Sequence, residues 1–185
     1  MKDNILKSSD SYDLLWDLKN FPLTEQLGKF STKTPHFDQQ LLISKRNGQV
    51  FLGNIVPTND LYTENDYTYR TETSFASIKN ISVFESFFHE VIKSKQISSL
   101  IDVGGNDLGL AKKLKHLSNK TYVIDPINSS IDGETVDGIK VIGKMTEEIN
   151  FSDLKPDVIV SRHTLEHIED PKKVIKQWFE ECPEV

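Results

Sequence analysis

Acids, glycines and histidines follow short β-branched runs at three places in this chain. Ser98-Ser-Leu-Ile-Asp102 leads into Val-Gly104-Gly105-Asn106-Asp107, Thr121-Tyr-Val-Ile124 into Asp125-Pro126, and Asp157-Val-Ile-Val-Ser161 into Arg162-His-Thr-Leu-Glu-His167. Runs that end this abruptly read as buried parallel strands delivering their carboxyl ends to a ligand crevice. Gly104 and Gly105 let backbone approach a ligand where a Cβ would intrude. Asn106 takes a left-handed conformation at lower cost than most residues, so it can stand in for glycine. Asp125 lies roughly twenty residues beyond the glycines, the separation at which an acid meets ribose hydroxyls in βαβ nucleotide sites. Leu108, Ala111, Leu114 and Leu117 have helical spacing, with Lys112, Lys113 and Lys115 on the polar side. The amino-terminal amides of that helix are expected to point into the crevice and meet an anionic ligand group. Together the segments point to a nucleotide-type cofactor.

Two other chemistries fit parts of the pattern. A nicotinamide dinucleotide needs G-x-G-x-x-G, whose second glycine admits the pyrophosphate. The register here is Gly104-Gly105-Asn106-Asp107-Leu108-Gly109, with asparagine at the second glycine, which counts against it. His163-Thr-Leu-Glu-His167 is a literal H-x-x-E-H, the inverted zinc-peptidase motif. That chemistry needs both histidines on one sustained helix with glutamate as base. A buried strand just before the motif and Asp170-Pro171 just after it leave about two turns. The expectation is therefore that no metal is bound and that the motif is a strand-to-helix turn.

The three segments resemble the S-adenosylmethionine-binding motifs of Rossmann-like (class I) methyltransferases. In that family the first strand ends in acid-x-Gly-x-Gly, the second in an acid that holds the ribose, and the fourth leads to a leucine-glutamate-histidine turn. The match falls at Asp102, Gly104, Asp125 and Leu165-Glu166-His167, with Asp170-Pro171 closing, and departs at Asn106 and Leu108. Gly-x-Asn-Asp and Ile-Asp-Pro look most like the branch that C-methylates nucleotide-linked keto sugars. The resemblance implies an α/β fold with a Rossmann-like parallel sheet and S-adenosyl-L-methionine as cofactor. It assigns Asp102, Gly104, Gly105, Asn106, Asp125 and Arg162 to cofactor binding and His163 to catalysis. The reaction implied is in-line methyl transfer to a small molecule, a nucleotide sugar by analogy, in which the protein chiefly positions two reactants. The alternatives of another class are a cofactor-binding but inactive module and, more remotely, a zinc metallopeptidase through His163 and His167.

The elements that must hold these residues follow from patterning. The stretch with Leu14, Leu15, Trp16 and Leu18 is expected as an amphipathic helix or a docked arm. From Phe21 to about Tyr69, short apolar runs such as Gln40-Leu-Leu-Ile43 and Gln49-Val-Phe-Leu52 predict a small hairpin-bearing lobe, with Asn47-Gly48 as a two-residue turn. A long helix is expected from Thr73 or Ser74 to Lys95, with Phe75, Ile78, Phe84, Phe88, Val91 and Ile92 as its apolar stripe. Strands near 99–103, 121–125, 139–143 and 157–161 come next. A helix from Pro171 follows, with Val174, Ile175, Trp178 and Phe179 on its apolar face. The domains expected are residues 1–72 as a small lobe and 73–185 as the cofactor domain.

The resembled sugar methyltransferases carry two C-x-x-C pairs around zinc in their first lobe. Ser44-Lys-Arg-Asn47-Gly48 sits where one pair would fall, and the chain has a single cysteine, Cys182, so the lobe is expected to be zinc-less. By the same resemblance, Tyr69, with Tyr67 second, is the expected acid/base or substrate ligand from the tyrosine-rich end of that lobe. The family fold has seven strands and four are visible here, in the order 3-2-1-4. The sheet is thus expected to be incomplete at the carboxyl end, with the fourth strand as an edge that recruits a second copy or a carboxyl-terminal partner segment.

Composition sets outer bounds. The chain has 185 residues, allowing one domain or a domain with a small lobe. Its net charge of −6 argues against a broad nucleic-acid surface. No stretch approaches the roughly twenty apolar residues of a membrane span, and Met1-Lys-Asp-Asn lacks a signal-peptide core. A lone cysteine fits a reducing cytoplasm.

Overall fold

Period-two alternation and glycine punctuation become strands and turns in a computed structural model that describes residues 11–22, 36–54, 56, 75–93 and 95–182. The chain forms two compact units, Met1–Thr68 with Ile168–Asp170, and Tyr69–His167 with Pro171–Val185.

The first unit holds an antiparallel sheet of β1 (Tyr12–Pro22), β2 (His36–Ser44) and β3 (Val50–Leu52), in that order. The stretch expected as a helix or arm is therefore a strand. Tyr12, Leu14, Trp16 and Leu18 alternate with Asp13, Asp17 and Lys19, a period of two that fits pleated backbone and not a helix. Leu15, which breaks the alternation, falls where the register with β2 shifts. The β2–β3 connection is longer than the expected two-residue turn. Ser44 N–H donates to Gln49 O at 2.9 Å, Gly48 N–H donates to Ser44 O at 2.9 Å, and Gly48 takes the positive φ of 72° while Asn47 does not. Asn47 instead uses its side chain, whose Oδ1 accepts the Gln49 N–H at 3.0 Å. Tyr67 and Tyr69 lie outside the described residues.

The second unit is an α/β sheet. Its elements are α1 (Phe75–Ile92), β4 (Ile97–Val103), α2 (Gly109–Leu114), β5 (Ser118–Ile124), β6 (Thr135–Val136), β7 (Ile139–Ile142), α3 (Phe151–Leu154), β8 (Val158–Ser161) and α4 (Pro171–Glu181). The strand order is β6-β7-β5-β4-β8; β7, β5, β4 and β8 are parallel and β6 pairs antiparallel with β7. The parallel part has the expected 3-2-1-4 order. The β6–β7 hairpin was not expected, although Asp137-Gly138 announces it: both residues have positive φ, 52° and 81°, as a two-residue turn between right-twisted strands requires. Among the described residues β8 is paired on one side only. No helix among them is long and apolar enough to cross a membrane.

Alternate β4 side chains feed two apolar layers. Leu100 joins Ile81 and Phe88 of α1, Leu110, Leu114 and Val160 in one layer. Ile101 and Val103 join Ile124, Phe151 and Cys182 in the other, where the Trp178 ring packs edge-on to Phe151. The buried stripe of α1 is Ser77, Ile81 and Phe88, with Phe84 and Ile92 partly covered. Phe75, expected in that stripe, is 84% exposed, and Ile78 and Val91 are exposed as well, because the 81-84-88-92 spacing turns them off the core. Phe179 of α4 is likewise exposed, and Val174, Trp178 and Cys182 form the inner face. At the amino end of the sheet, Asp157 Oδ2 accepts the N–H groups of Ser98 and Ser99, pinning the start of β8 to β4.

Gly143, just past β7, allows two backbone segments to pack directly against each other. A Cβ there would lie 2.5 Å from Asn128 O and 2.6 Å from Ser129 Cα, both backbone atoms that cannot swing aside. Gly143→Ala is expected to destabilise the fold by about 1–3 kcal/mol, the usual cost of overpacking. An unchanged denaturant midpoint would contradict this packing.

Candidate functional site

The carboxyl ends of β5, β4 and β8 lie side by side, and the polar residues at their tips converge. At the end of β4, Gly104 N–H donates to Ile124 O at 2.8 Å and the residue stands at φ +77°. A Cβ on Gly104 would sit 2.0 Å from Thr164 Oγ1, and one on Gly105 would sit 2.8 Å from Val123 Cγ1. The space beside both glycines is thus filled by the protein itself, so they first of all let the β8 loop and β5 close on the turn. Thr164 is a residue that motif reading passed over. Its hydroxyl donates to Val103 O at 3.1 Å or to Arg162 O at 3.2 Å and ties the β8 loop to the end of β4.

The two positions that depart from glycine keep glycine's backbone. Asn106 has φ 44° and Leu108 φ 65°, both left-handed. Such a conformation costs roughly 1–2 kcal/mol in a non-glycine residue, and both side chains are buried, Leu108 among Ala111, Val123, Ile139 and Val141. The helix expected to continue to Leu117 stops at Leu114, and Lys115–Leu117 tightens into a 3-10 turn. Its first amides are not a free row: Leu108 N–H donates to Gly105 O at 2.9 Å and Gly109 N–H to Asp107 Oδ1 at 3.3 Å. The expected anion seat at this terminus is therefore corrected. The six-residue α2 is too short for such a seat, and the Leu108, Gly109 and Ala111 amides at its entrance already serve Gly105, Asp107 and Asp102.

Asp125 closes the other side of the crevice. Its Oδ2 accepts the Asn106 N–H at 2.8 Å and its Oδ1 accepts the Ile127 N–H at 3.0 Å. These two backbone bonds fix the orientation of the carboxylate at the tip of β5. Asn128, another residue not singled out in the sequence, donates from Nδ2 to Asn106 O at 2.8 Å.

Asp102 sits between these features and is 2% exposed. Its Oδ2 has no hydrogen-bond partner among the described residues. Burial pushes its carboxyl up to about 7, against the pull of the Arg162 guanidinium and of the Ala111 N–H that the carboxyl accepts, and with a push from the Asp125 charge. A buried carboxyl oxygen without a donor is costly and marks a place where a ligand's N–H or O–H fits.

At the end of β8, Ser161 pairs with Val103, and Arg162 follows close enough to act on Asp102. His163 stands at φ 54° with its Nδ1 3.7 Å from Glu166 Oε1, both side chains open to solvent. Strained non-glycine backbone of this kind gathers at functional sites. Leu165–His167 is a single 3-10 turn, so the two histidines of H-x-x-E-H do not share one face of an α-helix. Among the described residues no three His, Cys, Asp or Glu side chains are grouped to hold a metal. The described part of the expected site, Asp102, Gly104, Gly105, Asn106, Asp125, Arg162 and His163, therefore lies at three neighbouring strand ends.

A family model described as a methyltransferase domain matches residues 73–184. Among solved structures, the chain is similar to the plantazolicin methyltransferase BpumL in three complexes. With SAH and a monoazolic desmethylPZN analog, identity is 18%, coverage 56% of this chain and 41% of that one, and the TM-score 0.45. With SAH and a pentazolic analog, the values are 18%, 60%, 44% and 0.48. With SAH alone they are 14%, 60%, 51% and 0.43. The chain spans less than half of the first of these structures. No curated protein matches it.

Proposed function

The chain belongs to the methyltransferase-domain family, and from that premise we propose that it moves a methyl group from S-adenosylmethionine to a small-molecule acceptor. When bound, the cofactor supplies an electrophilic methyl carbon on a sulfonium sulfur. The observation that carries the reading is Asp102, whose buried Oδ2 meets no donor among the described residues, beside Asp125 and Arg162.

The residues present fit an adenosylated amino acid. Asp102 would accept from the ammonium of the methionine part, and Arg162 would pair with its carboxylate. Asp125, held by Asn106 and Ile127, would accept from the ribose hydroxyls. The Gly104-Gly105-Asn106 turn would lie between the two groups. His163, at the solvent-open end of β8, would take the proton that the acceptor atom loses as its new bond to the methyl forms, and Tyr69 is, by family resemblance, the second proposed acid/base residue. The rate gain then comes mainly from holding acceptor and methyl in line.

Finer parts of the proposal rest on resemblance. A nucleotide-linked sugar is the proposed acceptor class, residues 1–72 the acceptor-side lobe and residues 73–185 the cofactor domain. The single thiol, Cys182, fits a cytoplasmic setting. Pairing of the β8 edge, one-sided among the described residues, with a second copy or a partner segment is part of the proposal. Light scattering should then show either more than a monomer or a monomer with little methyl transfer of its own, and a clean monomer with full turnover would refute both versions.

The test of the function is turnover of S-adenosylmethionine to S-adenosylhomocysteine in the presence of candidate acceptors. Cofactor binding without turnover under any acceptor would favour the inactive-module reading. Purified protein is expected to carry no stoichiometric zinc. One zinc per chain, lost in His163→Ala, would overturn the methyltransferase reading in favour of the peptidase.

A further inference from the structure

We propose that Asn128 is a positioning residue for the nucleoside half of the cofactor, acting through Asn106 and Asp125. The inference rests on the reading that places the ribose at Asp125 and adds a residue to it.

Three hydrogen bonds make a closed ring of Asn128, Asn106 and Asp125, and a fourth, from Ile127, braces it. Asn128 Nδ2 donates to Asn106 O at 2.8 Å, and Asn106 N–H donates to Asp125 Oδ2 at 2.8 Å. Asp125 Oδ1 accepts the Ile127 N–H at 3.0 Å, and Asp125 O accepts the Asn128 N–H at 3.1 Å. Asn106 is therefore gripped on both of its peptide groups, by an acid on the amino side and an amide on the carboxyl side. It needs that grip, because at φ 44° a non-glycine residue relaxes toward ordinary backbone unless its surroundings hold it. If Asn106 relaxes, its N–H leaves Asp125 Oδ2 and the carboxylate loses one of its two anchors.

The placement of Asn128 is itself imposed by the fold. It sits in the 3-10 segment Pro126–Ile131, whose backbone lies so close to Gly143 that a Cβ there would come within 2.5 Å of Asn128 O. Asn128 is half-exposed and belongs to none of the apolar layers, so its amide is not needed for core packing. What it fixes is the aim of a neighbouring carboxylate.

The test uses Asn128→Asp, which keeps the shape and removes the donor, and Asn128→Ala, which removes the donor without adding charge. Each is made alone and together with Asp125→Asn. S-adenosylhomocysteine affinity is read by calorimetry, thermal stability by melting, and the grip on Asn106 by amide hydrogen exchange without ligand. Both single variants are expected to bind about tenfold more weakly, the scale of one lost hydrogen bond to a charged network. They should melt within about 3 °C of wild type and exchange the Asn106 amide faster. In the Asp125→Asn background, the Asn128 substitutions should add less than they cost alone. Wild-type affinity in both variants, additive losses, or weakening that simply follows a large drop in melting temperature would each overturn the proposal. A wild-type protein that binds no S-adenosylhomocysteine would overturn the functional reading as well, so the two failures are told apart by the wild-type titration.

Discussion

Affinity for S-adenosylhomocysteine is expected to fall steeply as pH drops below about 7, the value to which burial lifts the Asp102 carboxyl. The ligand carries an ammonium group that favours ionised Asp102, so the bound state has a lower pKa than the free protein. Above about 7 the acid is already ionised in the free protein and affinity is flat. Below it, binding must expel a proton, and affinity declines by up to about tenfold per pH unit. The same acid governs stability in the unliganded chain. Its folded pKa of about 7 lies above the roughly 3.9 of an unfolded aspartate. Its stabilising contribution is therefore complete below about 4 and is lost as pH rises through about 7, a span worth on the order of 4 kcal/mol. Asp102→Asn should flatten both profiles. Calorimetry at pH 6 and 8 checks the first, and equal affinities in wild type would remove Asp102 from the ammonium site.

Asp125→Ala is expected to weaken S-adenosylhomocysteine binding by about 1–3 kcal/mol, the scale of hydrogen bonds to a charged group. The loss has two parts. The ribose hydroxyls lose their acceptor, and the Asn106 and Ile127 amides, bonded at 2.8 and 3.0 Å, lose theirs. The second part also loosens the left-handed Asn106, so stability should fall along with affinity. Asp125→Asn keeps one carbonyl oxygen and should cost less on both counts. Equal affinity in wild type and Asp125→Ala would sink the assignment of the ribose to β5.

The parallel sheet was legible because its signal is local and redundant. Three β-branched runs each end in a residue type that a strand interior rejects, and β4, β5 and β8 lie where those runs predict. Asp102, Asp125 and the glycine turn followed from the same boundaries. Residues that act through other residues were not legible. Thr164 and Asn128 matter because of what they touch, 61 and 22 positions away in sequence, and no local pattern announces such contacts. Helix faces were misjudged where apolar residues outnumber the positions the core can take, as with Phe75 and Phe179. The strand at Tyr12–Pro22 was missed because four apolar residues close together look like a helix stripe until Asp13, Asp17 and Lys19 are set between them. Glycine's absence at Asn106 and Leu108 did not mean absence of glycine's geometry, since the fold holds both residues left-handed.

The most direct test of the central claim is a calorimetric titration of the full chain with S-adenosylhomocysteine at pH 8, with NAD as the comparison ligand. The predicted result is saturable binding at one site per chain, displaced by S-adenosylmethionine, with no heat from NAD. A chain that is folded by circular dichroism yet takes up no S-adenosylhomocysteine, or that binds NAD in its place, would contradict the account.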